Sequence, residues 1–428
     1  MFSENNFHLV GIGGIGMSGL ARILRENGKE VSGSDCEDSP IVAKLRAEGF
    51  EISIPQSVKN LPKNSEVVIH TLAADSENPE ISAASERGLR ILSYPEALGE
   101  ITKNKKLIAI AGTHGKTTTT GLIISACLNA GEDISCLVGA NLQELGDKNA
   151  RVGNSEWFVL EACEYRRAFL NLQPQILAIT NIEAEHLDFY KNLEDYESAF
   201  VEFAEKLPTN GVLVADSREP NLEKTIAAAP HFFDAGNALP SFSLKIPGEM
   251  NRRNARLAFV LAELLNLDSE KARAGIENFA GAERRMEFRG EFRGAKIYDD
   301  YAHHPTEIQA TLATAREEFP DSRIVMIYQQ HQISRAQKML RQLGESFFDA
   351  DVVVIPNIYE VRDEANSKNK ISGKDLAAEI RKNGKEVFFT ENFNKTVIWL
   401  RENLQKNDIA VIAGAGDVWK ITEKLLEN

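Results

Sequence analysis

The sequence predicts an α/β fold of three domains: a Rossmann-like amino-terminal domain, a central P-loop ATPase-like domain built on a parallel sheet, and a carboxy-terminal Rossmann-like α/β domain. Three observations support this prediction. Short apolar runs alternate with helical patterns along most of the chain, which is typical of parallel sheets. Two glycine-rich turns each follow an apolar run directly. The alternation restarts beyond a polar, charged segment that ends near residue 290.

The first domain is predicted over residues 1–100. Phe7–Val10 is an apolar run that enters a glycine cluster, and an amphipathic helical pattern follows from Met17 to Asn27. Glu30–Gly33 and Val67–Thr71 are further strand candidates. These segments form the repeating βα units from which a Rossmann-like sheet is built.

The second domain is predicted over residues 101–284. A polar stretch, Thr102–Lys106, separates it from the first domain, and Leu107–Ala111 is a buried strand before the second glycine turn. Trp157–Leu160 and Ile176–Thr180 are short apolar strands. We therefore expect the second glycine turn to lie at the carboxyl edge of a parallel sheet.

The third domain is predicted over residues 285–428, where the βα alternation resumes. Its strand candidates are Ile324–Tyr328, Val352–Ile355, Glu386–Phe389 and Ile409–Ala413. Helical patterns lie between them, so a second Rossmann-like α/β sheet is expected.

Composition limits the partners of the chain. The formal net charge is -14 over 428 residues, and a general nucleic-acid binder needs clustered lysine and arginine instead. The first residues lack a basic and then apolar signal sequence, and no run of 18 apolar residues occurs. We expect a cytoplasmic enzyme with no nucleic-acid or membrane partner, as a monomer or weak homodimer.

The first glycine turn fits the pattern G-x-G-x-x-G, with glycines at Gly11, Gly13, Gly14 and Gly16. Glycine permits the tight turn and the close approach of a diphosphate to the start of a helix. Asp35 follows at the distance typical of a carboxylate that binds a ribose hydroxyl. A nicotinamide cofactor and a nucleotide sugar both satisfy this pattern, and a turn without ligand is also possible.

The second glycine turn is a variant P-loop, because Ile110 stands where a standard motif has glycine. The backbone cradles phosphates, the lysine neutralises their charge, and the first threonine of the helix can reach Mg²⁺. This turn predicts an ATP site, and ATP beside a nucleotide-binding fold favours a kinase or a ligase. The predicted ATP-binding residues are Gly112, Thr113, His114, Gly115, Lys116, Thr117 and Thr118.

Two polar residues follow the central strands. Glu161 ends the run from Trp157 and suits Mg²⁺, which takes few carboxylates beside water and phosphate oxygens. His186 follows the next strand and could bind a second divalent ion or orient a phosphate. Taken singly, each residue is more often an ordinary loop residue, but the P-loop between them favours the functional interpretation.

Five motifs in order carry a resemblance to a known family. They are GIGGIGMSG (11–19), AGTHGKTTTT (111–120), EACEYRRAFL (161–170) with TNIEAEHLD (180–188), DDYAHHPTEI (299–308) and GAGDV (414–418). With them the chain resembles the Mur ligases of peptidoglycan synthesis. The resemblance implies an ATP-dependent amide ligase that joins L-alanine to UDP-N-acetylmuramic acid through an acyl phosphate.

The resemblance also implies roles for particular residues. The first domain would hold the UDP part at its glycine loop, with Asp35, Thr71 and Ala73 nearby. The metal ligands would be Thr117, Glu161 and His186. Further nucleotide-binding residues would be Asn251, Asn254, Arg285 and Tyr301. The catalytic residues would be Lys116, Glu161, His186, His303 and Arg335.

Several alternatives stay open. A relative that recycles murein tripeptide shares several of these motifs. Gln332 replaces an arginine of the family motif, so glycine or serine could be the incoming amino acid. The first glycine loop alone fits a nicotinamide oxidoreductase, and the P-loop alone fits an ATPase without ligase activity.

Overall fold

The computed structural model describes residues 2–187, 189–236, 241–359 and 371–427, apart from the side chains of Ser334 and Arg335. The chain divides into two compact units. The first unit is Met1–Lys245 with Arg253–Ala280, and the second is Ile246–Arg252 with Gly281–Asn428. Two of the three sheets lie in the first unit, and the third lies in the second.

The first sheet consists of five parallel strands. They are β1 (Asn6–Val10), β2 (Glu30–Ser34), β3 (Glu51–Ser53), β4 (Val67–His70) and β5 (Arg90–Ser93). Their order is β3-β2-β1-β4-β5, which places β1 at the centre. The accompanying helices are α1 (Ile15–Glu26), α2 (Pro40–Ala47), α3 (Pro79–Glu86) and α4 (Tyr94–Thr102). The glycine loop therefore leaves the carboxyl end of the central strand.

The second sheet consists of seven strands. They are β6 (Lys106–Ala111), β7 (Ser135–Leu142), β8 (Lys148–Arg151), β9 (Trp157–Glu161), β10 (Ile176–Ile179), β11 (Val212–Ala215) and β12 (Phe232–Asp234). Their order is β12-β11-β10-β6-β9-β7-β8, and only β8 runs antiparallel to its neighbour. The helices are α5 (Lys116–Ala130), α6 (Leu193–Ala204), α7 (Glu223–Ala228), α8 (Glu249–Leu264) and α9 (Ser269–Asn278).

The P-loop leaves the middle of this second sheet. β6 lies between β10 and β9, and its residues from Leu107 to Ala111 are buried. A strand with helices on both faces needs such a continuous apolar run. The carboxyl ends of β9 and β10 therefore flank the loop, where ligands of open α/β sheets bind.

The third sheet consists of six strands. They are β13 (Glu287–Phe292), β14 (Ala295–Asp300), β15 (Ile324–Tyr328), β16 (Val352–Ile355), β17 (Glu386–Phe389) and β18 (Ile409–Ala413). Their order is β13-β14-β18-β15-β16-β17, with only β13 antiparallel. The helices are α10 (Pro305–Glu318), α11 (Ile333–Gly344), α12 (Gly373–Lys382), α13 (Phe393–Asn403) and α14 (Trp419–Leu426).

The predicted α/β class with three sheet domains is confirmed, and each predicted strand is present to within two residues at either end. The β13–β14 hairpin was not predicted, because its polar residues do not form an apolar run. The domain limits at residues 100 and 284 remain a prediction. None of the described helices is both long and apolar enough to span a bilayer.

The first two sheets share one unit because α1 packs against the second sheet as well as the first. α1 contacts β7 and β8, and an apolar cluster continues from Leu20 and Ala21 on α1 to Leu137 and Ala150 on those strands. Burial of such continuous apolar surface holds the two sheets together.

Candidate active site

The P-loop places one glycine where another residue cannot fit. Gly112 has a φ of +132°, and a Cβ atom there would lie 2.0 Å from the Thr180 hydroxyl oxygen. Gly115 is the N-cap of α5, so the first amide groups of that helix face the loop. Free amide groups and the positive end of the helix dipole together make a phosphate site.

The other residues of the P-loop are held by hydrogen bonds to residues that follow β10. The Asn181 amide side chain accepts from the His114 backbone N–H and donates to its carbonyl, both at 3.0 Å. The Thr113 hydroxyl receives the Glu183 backbone N–H at 2.9 Å. Thr118 is buried in the first turn of α5. These contacts preorganise the loop, which is what a phosphate cradle requires.

Lys116 folds back over its own loop. Its Nζ donates to the carbonyl oxygens of Gly112 at 2.5 Å and Thr113 at 3.0 Å. It also lies 3.1 Å from a carboxylate oxygen of Glu164, which is 1% exposed. The ammonium group is thus held at the phosphate end of the loop by charge-assisted hydrogen bonds.

Glu164 is the electrostatic centre of this cluster. Burial would raise the pKa of its carboxyl group, but the Lys116 ammonium and the His186 imidazole outweigh burial and lower that pKa to about 2. The His186 Nε2 lies 3.5 Å from the Glu164 Oε1, and its ring packs on Tyr165 with centroids 4.8 Å apart. Burial alone would lower the pKa of Lys116, but the negative charge of the Glu164 carboxylate raises it above its ordinary value.

Glu161 and Thr117 form a second pair beside the first. The Thr117 Oγ1 donates to the Glu161 Oε1 at 3.0 Å, and the other carboxylate oxygen accepts the Gly139 N–H at 2.7 Å. A hydroxyl and a carboxylate oxygen so close together are the donor set that Mg²⁺ prefers. The residues therefore fit the predicted ion, whereas His186 is turned towards Glu164.

The amino-terminal glycine loop is organised by the end of β2. The Gly11 N–H donates to the Ser34 carbonyl at 2.8 Å, and Gly14 is the N-cap of α1. Gly16 lies in the first turn of α1. The Asp35 Oδ2 accepts the Gly13 N–H at 2.8 Å, so this carboxylate fixes the loop, and its role at the ribose stays a prediction.

The turn after β4 lies beside this loop. The Thr71 N–H donates to the Val10 carbonyl at 3.0 Å, and its side chain occupies the space that a Cβ atom on Gly11 would need. The Ala73 N–H donates to the Thr71 hydroxyl at 3.4 Å. The predicted substrate-binding residues of the first sheet are thus collected at one edge, at the carboxyl ends of β1, β2 and β4.

The predicted residues of the second unit form a separate group. The Arg285 guanidinium lies 5.4 Å from the centre of the Tyr301 ring and 3.8 Å from a carboxylate oxygen of Glu307. The same Glu307 receives the His303 backbone N–H at 3.0 Å, and the His303 Nδ1 lies 3.2 Å from it. This arrangement fixes His303 at the start of α10.

The remaining predicted residues are Asn254, Asn251 and Arg335. Asn254 belongs to the first unit, where its Oδ1 would lie 2.6 Å from a Cβ atom on Gly115. Asn251 belongs to the second unit, and its amide donates to the Pro247 carbonyl at 2.7 Å. The side chain of Arg335 lies outside the described part of the structure.

Comparison with known proteins agrees with this arrangement. Models described as the Mur ligase family catalytic domain, the Mur ligase middle domain and the Mur ligase glutamate ligase domain match residues 6–106, 110–237 and 284–416. A UDP-N-acetylmuramate–L-alanine ligase of Caldanaerobacter subterraneus subsp. tengcongensis is 38% identical, with 98% of this chain and 97% of that protein covered. The chain belongs to the Mur ligase family.

Other Mur ligases extend the comparison. A UDP-N-acetylmuramate–L-alanine ligase of Lachnospira eligens is 37% identical over 99% of this chain and 98% of its own length. The crystal structure of a UDP-N-acetylmuramate-alanine ligase from Thermotoga maritima has a TM-score of 0.84 at 27% identity, covering 99% of this chain and 98% of that one. A murein peptide ligase from Psychrobacter arcticus, 23% identical over 99% and 98%, shares the fold with a TM-score of 0.76.

Sequence reasoning missed two residues of this Mur ligase site. Glu164 was quoted within a motif but given no role, although it contacts both Lys116 and His186. Asn181 was likewise quoted without a role, although it holds the P-loop. The available signal was position, because each residue follows a central strand at the edge where the P-loop lies.

Proposed function

We propose that this chain is the ATP-dependent ligase that joins L-alanine to the lactyl carboxylate of UDP-N-acetylmuramic acid in peptidoglycan precursor synthesis. One observation carries the proposal. A phosphate cradle around Lys116 stands beside the Thr117–Glu161 pair, in a chain whose full-length relatives are UDP-N-acetylmuramate–L-alanine ligases.

The first half of the proposed reaction activates the carboxylate. Joining a carboxylate to an amine in water is unfavourable, and transfer of the ATP γ-phosphoryl group gives an acyl phosphate with a good leaving group. Phosphoryl transfer is catalysed by positioning and charge neutralisation. Lys116 and the amide groups at the start of α5 would hold the β- and γ-phosphates, while the glycine loop after β1 would hold the diphosphate of the sugar nucleotide.

We propose that the reaction uses Mg²⁺, because two neighbouring side chains fit that ion. Thr117 and Glu161 would hold Mg²⁺, which when bound neutralises charge on the phosphates. His186 is the third proposed ligand. Because its Nε2 faces Glu164, binding a metal through that nitrogen requires the Glu164 contact to be exchanged.

The second half of the proposed reaction uses the amine of the amino acid. We assign His303 and Arg335 of the second unit to the amino acid, and Tyr301 and Arg285 to nucleotide binding. The amine attacks the acyl phosphate carbonyl, and phosphate leaves from the tetrahedral intermediate. No covalent nucleophile on the protein is needed, and the residues named here supply charge and orientation.

A phosphate-release assay tests this proposal. We expect release only when ATP, Mg²⁺, UDP-N-acetylmuramic acid and an amino acid are all present, with L-alanine more effective than glycine or L-serine. Release that needs murein tripeptide in place of L-alanine would select the recycling ligase. Release without either substrate would select an ATPase, and an NAD(P)H absorbance change would select an oxidoreductase.

We also propose a cellular location and an oligomeric state for the enzyme. ATP and a sugar nucleotide are cytoplasmic metabolites, so we place the reaction in the cytoplasm, with no nucleic-acid or membrane partner. We propose a monomer or a weak homodimer. Sedimentation at several protein concentrations measures that state directly.

A further inference from the structure

A buried polar cluster lies where α1 packs against the second sheet. We call it the Asn149 clasp, consisting of Arg22, Glu48 and Asn149. Asn149 is completely buried and Arg22 is 2% exposed. The Arg22 guanidinium donates to both Glu48 carboxylate oxygens, at 2.9 and 2.8 Å. Buried polar groups are rarely left without a hydrogen-bond partner, so the contacts of this cluster are expected to be required for its burial.

Asn149 binds three groups from two parts of the first unit. Its Nδ2 donates to the Ile15 carbonyl at 2.6 Å, in the first turn of α1. The same nitrogen lies 3.4 Å from the Val138 carbonyl of β7. Its Oδ1 accepts from the Arg22 Nη1 at 2.6 Å. One amide therefore joins the helix of the amino-terminal glycine loop to a strand of the central sheet.

The backbone of α1 approaches this amide closely. A Cβ atom on Gly19 would lie 2.8 Å from the Asn149 Nδ2. A real side chain there would push the amide away, so the glycine keeps the helix within hydrogen-bonding distance. Apolar packing alone allows a helix to rotate or slide, whereas these directional bonds fix its first turn.

The strand on the other side of the clasp leads to the predicted metal pair. Val138 accepts from Asn149, and the next residue, Gly139, donates its N–H to the Glu161 Oε2 at 2.7 Å. The other oxygen of Glu161 binds Thr117. A continuous path of hydrogen bonds and one peptide unit thus joins the start of α1 to the start of α5.

We infer that Asn149 is a positioning residue that fixes the spacing between the glycine loop at the start of α1 and the Thr117–Glu161 pair of the P-loop. The inference rests on the proposed function, because spacing matters only where a group held by one loop reacts with a phosphoryl group held by the other. Small misplacements of reacting groups cost rate and leave the separate binding steps intact.

The test is Asn149→Leu in the full-length enzyme, which replaces the amide by a larger apolar group of the same branching and so removes its hydrogen bonds. We expect kcat to fall by about 10- to 100-fold. Binding of ATP alone and of UDP-N-acetylmuramic acid alone, measured by calorimetry, stays at the wild-type value. The matched control is Asn27→Leu, because the Asn27 amide also donates to an α1 carbonyl, that of Ile23 at 2.7 Å, and this hydrogen bond stays within α1 and its cap. This control keeps wild-type kcat.

Gly19→Ala gives a second measurement that does not depend on the leucine variant folding. The added methyl group displaces the Asn149 amide, and we expect a smaller fall in kcat with unchanged ligand binding. An unchanged kcat in either folded variant overturns the inference, and so does a loss of binding as large as the loss of kcat. Wild-type enzyme that releases no phosphate in the same assay rejects the proposed function instead.

Discussion

Glu164 and Asp299 are both buried carboxylates, each 1% exposed, but their pKa values move in opposite directions. Glu164 follows β9 in the central sheet, and its pKa is lowered to about 2. Asp299 lies in β14 of the third sheet, and its pKa is raised to about 6. Burial raises both values, so the difference must come from the neighbouring groups.

The neighbours differ in charge and distance. Glu164 has an ammonium group at 3.1 Å and an imidazole at 3.5 Å. Asp299 receives a hydrogen bond from the Thr422 hydroxyl, and its nearest cation is the Arg289 guanidinium at 3.7 Å. A cation in direct contact therefore outweighs desolvation, whereas a hydroxyl with a more distant guanidinium does not. The neighbouring groups thus compensate the buried Glu164 charge, whereas they compensate the buried Asp299 charge only in part.

The largest expected effect comes from removing the cation. Lys116→Ala leaves Glu164 buried without its ammonium partner, so its pKa rises as that of Asp299 does. Loss of the phosphate-neutralising charge should lower kcat by about 10²- to 10³-fold. The phosphate-release assay measures this change, and circular dichroism checks that the variant is folded.

Lys106→Ala is the control for that prediction. Lys106 lies ten residues earlier, at the start of β6, where its ammonium is exposed and paired with Glu156. We expect wild-type kcat for this control. A Lys116→Ala enzyme with near wild-type turnover means that the P-loop assignment is wrong.

Glu164→Gln removes the carboxylate and leaves the cations. The folded-state pKa of about 2 lies below the ordinary value of 4.5, so the charged group stabilises the fold above pH 4.5. That contribution is lost as the pH falls from 4.5 towards 2. We expect the variant to be less stable by about 3 kcal/mol at pH 7, with a smaller difference at lower pH. Urea unfolding of the metal-free protein between pH 7 and pH 4 measures both.

The exposed Glu156 offers a matched substitution. Its ion pair with Lys106 is on the surface, and such pairs contribute on the order of 0–1 kcal/mol. Glu156→Gln should therefore change the unfolding free energy little at any pH. A Glu164→Gln difference that stays constant from pH 7 to pH 4 contradicts the low pKa.

The sequence allowed the fold to be predicted because local patterns encode it. The apolar run Leu107–Ala111 and the glycines that follow it predict a strand and a phosphate loop without knowledge of the rest of the chain. The hairpin β13–β14 escaped prediction because its strands, EFRGEF and AKIYDD, contain too many polar residues to form an apolar run. Pairing of β14 with β18, more than one hundred residues later, places it in the sheet, and such pairing is not visible in the local sequence.

The site was predicted less completely for the same reason. Lys116 and Thr117 were assigned from a motif whose spacing itself determines the geometry. Glu164 gains its role from contacts with residues 48 positions before it and 22 positions after it, and sequence spacing does not encode such contacts. Asp35 was assigned a ribose role; the structure adds that it holds Gly13 in place.

Asp299→Asn sharpens the comparison from the other side. The folded-state pKa of about 6 lies above the ordinary value of 3.8, so the folded state binds more protons and loses stability as the pH rises from 3.8 to 6. An amide carries no charge to desolvate but also gives up the Arg289 attraction. We expect the variant to be more stable than wild type at pH 7 by about 1–2 kcal/mol. This gain should vanish below about pH 4.

The exposed Asp321 supplies the control, because Asp321→Asn changes the same charge in the same unit without removing a buried group. Its unfolding free energy should match that of wild type at both pH values. If Asp299→Asn is destabilised at pH 7, the Arg289 and Thr422 contacts already compensate the buried charge. The two carboxylates would then differ only in degree. Direct contact with a cation would not be the feature that distinguishes Glu164 from Asp299.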